Sequence, residues 1–180
     1  MAAEAEAPET RFALLGEDRI TYQVFGQGDV DVLYGPSSSE AMEVRWEWPP
    51  YADFLHRLGT NARVIMFDRR GMGSSDDPSG EALPSRELWA DEACMVLDTV
   101  GSEKAVVFGA VDAGPTSMIF AATHPTRTRG LILANTTARY AAAPDYPWGI
   151  PEEMLPLATQ IIQDTWGTEA NADRNARRSP

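Results

Sequence analysis

Apolar and polar residues along this chain alternate between two rhythms, one of short runs and one of helical spacing. Arg11–Leu15 and Ile20–Phe25 are short, β-rich runs on either side of Gly16-Glu17-Asp18, a pattern that predicts a hairpin. Gly26-Gln27-Gly28-Asp29 then turns into a third strand, Val30–Tyr34, and Gly35 to Ser39 reads as a loop. From Pro49 to Leu58, Tyr51, Phe54, Leu55 and Leu58 share one helical face, with Gly59-Thr60-Asn61 expected to close the helix. The unbroken apolar run Val64-Ile65-Met66-Phe67, within a strand over 62–67, suits a strand covered on both faces, as in a parallel sheet.

The second half repeats the alternation. A turn-rich loop from Asp68 to Gly80 leads into a helix over 85–100, where Trp89, Ala93, Val96, Leu97 and Val100 form a stripe that Gly101 ends. Ala105-Val106-Val107-Phe108 reads as a buried strand, followed by a sharp turn and a helix that ends near His124, before Pro125. Leu131-Ile132-Leu133-Ala134 is the last clear strand. A Pro/Trp/Tyr-rich stretch, 141–150, precedes a final helix over 151–166, with Pro151 in its first turn and Gly167 beyond its end. A hairpin followed by alternating strands and helices predicts a three-layer α/β/α sandwich with a mostly parallel sheet. The expected division is a disordered arm over 1–9, a core over 10–138, the start of a lid over 139–167 and a polar, disordered tail over 168–180.

Composition narrows the function classes. Lys+Arg 15 against Asp+Glu 27 leaves a net charge of −12, which argues against nucleic acid or an anionic membrane surface as a partner. No apolar run approaches the roughly 20 residues of a membrane span. The N-terminus has neither a basic start nor an apolar stretch, so a cytoplasmic protein is expected. Cys94, the single cysteine, lies in an apolar helical stretch and reads as a small buried hydrophobe. There is no metal-site spacing of His, Cys and carboxylates and no Gly-rich phosphate motif, so no cofactor is expected.

Candidate chemistry concentrates at Gly109-Ala110-Val111-Asp112-Ala113-Gly114-Pro115, where a buried strand turns sharply into a helix. Small residues around the apex are what a nucleophile elbow requires, because the turn is strained and the helix packs close by. The reaction needs a hydroxyl, thiol or carboxylate at that apex. Two registers compete. In one, Val111, which has no reactive atom, stands at the nucleophile position; in the other, Asp112 stands there. The loop Asp68-Arg69-Arg70-Gly71-Met72-Gly73-Ser74-Ser75-Asp76 reads foremost as a rigid turn beside the cleft, with direct catalysis by Asp68 or Asp76 the lesser reading.

Taken together, the hairpin, the Gly-Pro loop, the Asp68–Asp76 loop and the elbow resemble the α/β-hydrolase fold family. In particular they resemble actinobacterial hydrolase-like domains, some of which are joined to class III adenylyl cyclases. The resemblance covers roughly residues 10–167. It implies esterase or lipase ancestry, or, in the Asp112 register, an aspartate nucleophile of the epoxide-hydrolase and haloalkane-dehalogenase type. It also implies oxyanion donors from the Gly35-Pro36-Ser37-Ser38-Ser39 loop and from Asp112; Pro36 has no N–H, which leaves Ser37 or Ser38. The family's triad histidine follows the last strand, whereas the only histidines here are His56, before the elbow, and His124, at the end of the elbow helix. Asp145 and Asp164 read as lid and surface carboxylates rather than a triad acid. The family domain continues with further strands that carry the acid and the histidine, so the fold is expected to be C-terminally incomplete at Pro180, with Leu131–Ala134 on an open sheet edge.

The resulting expectation is a hydrolase-like protein without a competent triad in this chain, binding a small apolar ligand in the cleft above Val111. The alternatives are a residual hydrolase using Asp112, and a non-catalytic interaction or sensor module whose open edge meets another copy or a completing chain.

Overall fold

A computed structural model describes residues 7–35, 41–78 and 85–176, and these fall into two compact units divided between Ala138 and Arg139. The first contains a six-stranded sheet in the order β1-β2-β4-β3-β5-β6. Its strands are β1 (Arg11–Leu15), β2 (Asp18–Phe25), β3 (Asp31–Tyr34), β4 (Arg63–Phe67), β5 (Ala105–Ala110) and β6 (Thr128–Ala134). β2 runs antiparallel to β1 and β4, while β4, β3, β5 and β6 are mutually parallel. The expected mostly parallel α/β architecture is therefore the observed one, with the hairpin as its antiparallel margin. Gly16, at φ +64°, makes the hairpin turn in the left-handed region where a glycine is free of strain.

The run Val64-Ile65-Met66-Phe67 is fully buried because both faces of β4 are covered. Ile65 and Phe67 join Leu33, Val107 and Phe120 under α2 (Arg86–Thr99) and α3 (Ala113–Thr123). Val64 and Met66 join Val32, Tyr34 and Leu55 under α1 (Pro49–Asn61). Alternate side chains of one strand thus feed two cores, and each such side chain removed from water contributes about 1.5–3 kcal/mol. The helical stripe of α2 is in place as well: Trp89, Ala93, Val96 and Leu97 are buried, and Ser85 caps its start by accepting from the Leu88 N–H at 3.3 Å.

Three local expectations change. α1 takes Gly59-Thr60-Asn61 into its last turn and ends at Asn61. Gly59 serves packing: a Cβ on it would come within 3.1 Å of the Phe25 ring, and its carbonyl accepts from the Gln27 N–H at 3.2 Å. At the N-terminus, Pro8 belongs to the supposedly frayed arm, yet its carbonyl accepts from the buried Gln23 side chain at 3.2 Å; residues 1–6 lie outside the described residues. In the second unit, the final helix opens with a 3-10 turn, Glu152–Met154, before α4 (Leu155–Thr165). The polar tail then forms α5 (Glu169–Ala176) in place of the expected disorder. Thr168 explains this, since its Oγ1 accepts from the Asn171 N–H at 3.3 Å as an N-cap does.

Candidate functional site

The turn from β5 to α3 lies at the carboxyl ends of the parallel strands, where open α/β sheets bind ligands. Val111 sits at its apex with φ +50°, one of two non-glycine residues at positive φ among those described. Such an angle costs a β-branched residue on the order of 1–3 kcal/mol, so the surroundings must hold it in place. They do so from the end of β6 and just beyond it: the Val111 N–H donates to the Ala134 carbonyl at 3.0 Å, and the Thr136 hydroxyl donates to the Val111 carbonyl. Small residues are obligatory around the apex. A Cβ on Gly109 would lie 2.5 Å from Ser117 Oγ and 3.0 Å from Gly114 Cα, and one on Gly114 would collide with Thr136. The Val111 side chain is 56% exposed at the head of this turn. Asp112, by contrast, has ordinary helical angles (φ −79°, ψ −16°) and precedes α3 without capping it through its side chain.

Of the residues expected to form an oxyanion site, Ser37 and Ser38 lie outside the described residues. Gly35 is described, and its N–H donates to the Phe108 carbonyl at 2.8 Å within the β3–β5 ladder. That donor is spent, so Gly35 cannot serve an oxyanion; it lies instead directly beneath the start of α3, where a Cβ would press on Ala113 and Ser117 at 3.1 Å. The Asp112 carbonyl accepts from Arg86 Nη1 at 3.3 Å.

The Asp68–Asp76 loop is bonded into the body of the fold. The Asp68 carboxylate accepts from the Met42 N–H at 3.1 and 3.2 Å and is only 1% exposed; burial pushes its pKa up to about 6. Ser75 Oγ donates to the Asp68 carbonyl at 2.6 Å and accepts from the Thr21 N–H at 2.9 Å, fastening the loop to β2. Arg70 bridges Glu92 of α2 at 2.6 Å and Asp18 of β2 at 2.8 Å. Glu92 is completely buried, which raises its pKa, while the Arg70 guanidinium beside it acts in the opposite direction. Asp76 is turned away toward Arg19, 2.9 Å from its guanidinium. These bonds tie the loop rigidly to β2 and α2.

Arg69, Trp89 and Arg86, which the sequence pattern gave no reason to join as a set, meet beside the elbow. The Arg69 guanidinium lies 3.7 Å over the Trp89 ring, and Arg86 stands 6.0 Å from the same ring. Arg86 also reaches Thr116 Oγ1 at 3.4 Å, in the first turn of α3. Burial lowers the Arg69 pKa, the Asp112 carboxylate favours its charged form and Arg86 opposes it. The i, i+3 spacing of Arg86 and Trp89 on one helix was the available signal in the sequence.

Neither histidine approaches the elbow. His124 stands at the far end of α3, about 16 Å of helix from Val111. Its Nε2 lies 3.2 Å from Asp91 Oδ1, at ion-pair distance but without hydrogen-bond alignment, and its ring packs on Phe120 at 5.1 Å. His56 packs against Trp46 at 5.3 Å, beside Phe25 and Gly26 at the end of β2. Asp145 and Asp164 belong to the second unit, where Asp164 accepts from Gln160 at 2.7 Å. Among the described residues no group of His, Cys, Asp and Glu could hold a metal ion, and no helix is long and apolar enough to cross a membrane.

Comparison with known proteins agrees with this geometry. A family model described as alpha/beta hydrolase fold matches residues 37–179. A 2-hydroxymuconate semialdehyde hydrolase from Pseudomonas sp. (strain CF600) is 34% identical over 86 residues, which is 48% of this chain and 30% of that protein. Among solved structures, a ligand-free epoxide hydrolase superposes with a TM-score of 0.67 at 20% identity, covering 87% of this chain and 51% of that one. An N-acyl homoserine lactonase complexed with N-butanoyl homoserine gives 0.60 at 27% identity over 71% of this chain and 45% of that one. The chain thus spans about a third of the curated relative and about half of the solved ones.

Proposed function

This chain belongs to the α/β hydrolase fold family, and from that premise we propose that it is a member of esterase or lipase ancestry that binds a small, largely apolar molecule in the crevice above Val111 and does not turn it over unaided. One observation carries the reading: the residue at the left-handed apex of the elbow, where the family places its nucleophile, is a valine. An alkyl side chain has no lone pair to attack with, and no base could activate it. The two histidines support the same conclusion, since one is engaged with Asp91 and Phe120 and the other with Trp46. A hydrolase acting through Asp112 is the weaker alternative, because Asp112 takes helical angles one residue past the apex.

The test is turnover of p-nitrophenyl butyrate and styrene oxide by the wild type and by Asp112→Asn. The expected rates match buffer for both proteins. Turnover well above buffer that disappears in Asp112→Asn would overturn the reading in favour of an aspartate nucleophile. Val111→Ser is expected to restore nothing, since the hydroxyl would have no imidazole partner; a large gain would mean that a base is supplied from elsewhere.

A second reading rests on β6, which pairs with β5 on one side and ends the sheet on the other, with Leu131, Ile132 and Leu133 all exposed. Such an edge suits an interaction module completed by a second copy or by another chain. The hydrolase-like domains joined to class III adenylyl cyclases, which the hairpin, the Gly-Pro loop, the Asp68–Asp76 loop and the elbow together resemble, would be one setting for it. Light scattering over a range of concentrations tests this reading, and a monomer throughout would remove the second-copy form of it.

A further inference from the structure

Among the described residues Arg69 is a buried charge without an ion pair. It is 8% exposed, and among the described residues no carboxylate or carbonyl forms a hydrogen bond or ion pair with its guanidinium. Its guanidinium lies 3.7 Å over the Trp89 ring. A cation–π contact of this kind returns about 0.5–2 kcal/mol, less than the several kcal/mol that an ion loses on leaving water. Its five N–H donors form a planar fork that keeps only a little solvent contact and matches a carboxylate in shape. Nearby, the Trp89 indole N–H is buried and also without an acceptor.

The environment of Arg69 points the same way. Its head shares the Trp89 ring with Arg86, which in turn reaches the Asp112 carbonyl and Thr116 Oγ1 at the elbow. Arg86 contributes a second guanidinium there, held by two long contacts, 3.3 Å to the Asp112 carbonyl and 3.4 Å to Thr116 Oγ1. α3 begins at this point with no side-chain cap, and its dipole favours an anion near the first turn. The acidic groups around the cluster are largely committed. Glu92 is held by Arg70, and Glu87 accepts from its own backbone and from Ser85 at the start of α2. Among the described residues two guanidinium groups, Arg69 and Arg86, stand beside the carboxylate of Asp112, while Glu92, which also favours the Arg69 charge, is held by Arg70.

We infer that this crevice is a carboxylate-binding site, in which the fork of Arg69, assisted by Arg86 and the start of α3, holds the carboxylate of a small organic acid whose apolar body lies against the exposed side chain of Val111. This rests on reading the crevice above Val111 as a ligand site, and it adds the chemical class of the ligand. The site would select acids over their neutral amides or esters, because a neutral group leaves the buried charge unanswered.

Calorimetric titration of the whole chain with hexanoate, hexanamide and inorganic phosphate tests it, in the wild type, Arg69→Met and Arg86→Gln. Methionine keeps an apolar contact on Trp89 while removing the fork. Hexanoate is expected to bind the wild type at least tenfold more tightly than hexanamide, to lose about tenfold or more in Arg69→Met, and to lose less in Arg86→Gln. Equal binding of acid and amide, unchanged in Arg69→Met, would overturn the carboxylate assignment while leaving the apolar crevice standing. No binding of either at millimolar concentration would overturn both. Phosphate binding as tightly as hexanoate would replace the organic acid with a bare anion. Should Arg69→Met fail to fold, Arg69→Lys keeps the charge and loses the fork. Its affinity for hexanoate is then expected to fall several-fold, and an unchanged affinity would count against the proposal.

Discussion

Val111 is held at φ +50° by bonds that enter its backbone from Ala134 and Thr136, while its side chain projects outward. Most of what the position demands is therefore backbone shape, and valine meets that demand poorly. Val111→Gly is expected to raise stability by about 1 kcal/mol, the relieved strain exceeding the extra chain entropy of glycine. A urea midpoint below the wild type's would show that the Val111 side chain packs against something that outweighs the strain. Asp68 is the second informative residue. An unfolded aspartate titrates near ~3.9, but burial holds Asp68 at about 6 in the fold. Its native state thus binds the proton more tightly, so this group favours folding fully below about pH 4, and that contribution is lost as pH rises through about 6. Glu43 adds to the upward shift, and the Met42 N–H and Arg45 oppose it. Asp68→Asn keeps an acceptor for Met42 without the charge. Relative to this variant the wild type is expected to lose roughly 2 kcal/mol between pH 4 and 6. Parallel curves of urea midpoint against pH for the two proteins would contradict that assignment.

At the scale of elements, the loop after β4 is fastened to β2 and α2 by polar bonds, and the Arg70–Glu92 pair is the one that reaches α2. With Glu92 fully buried, removal of its partner leaves an unanswered charge inside the fold. Arg70→Met is expected to cost about 3 kcal/mol, and a second change, Glu92→Leu, to return most of it. Thermal unfolding of the single and double variants checks this, and additive losses would mean that the two side chains do not act as a pair. The same scale explains two features that sequence spacing misjudged. Gly59 looked like a helix stop and is a packing glycine, because the ring of Phe25 lies against it. Thr168 looked like the start of a polar tail and is the cap of α5, a role that depends on the Asn171 N–H three residues on.

For the molecule as a whole, β6 and the crevice are the consequential surfaces. β6 ends the sheet with three large apolar side chains exposed, and Ile132 is 47% exposed among them. Ile132→Lys places a charge on this edge, the device by which natural edge strands avoid pairing. If copies associate through β6, the variant is expected to scatter as a smaller species than the wild type at equal concentration. Indistinguishable scattering would place any association on another surface.

The order of strands and helices, the parallel sheet and the elbow were legible in the sequence, because hydrophobic period and the demand for small residues at a strained turn are local properties. Val64 to Phe67 announced a strand covered on both faces, and Gly109, Ala113 and Gly114 announced a turn with a helix pressed upon it. Which residue occupies the apex could not be read that way. The two registers differ by one residue in a backbone angle, and the positive φ of Val111 is held by bonds to Ala134 at the end of β6 and to Thr136 just beyond it. The loss of the Gly35 donor to Phe108 and the meeting of Arg69, Arg86 and Trp89 beside the elbow are likewise long-range facts. Residues distant in the chain become a site only when the sheet brings its strand ends together, and no local pattern encodes that juxtaposition.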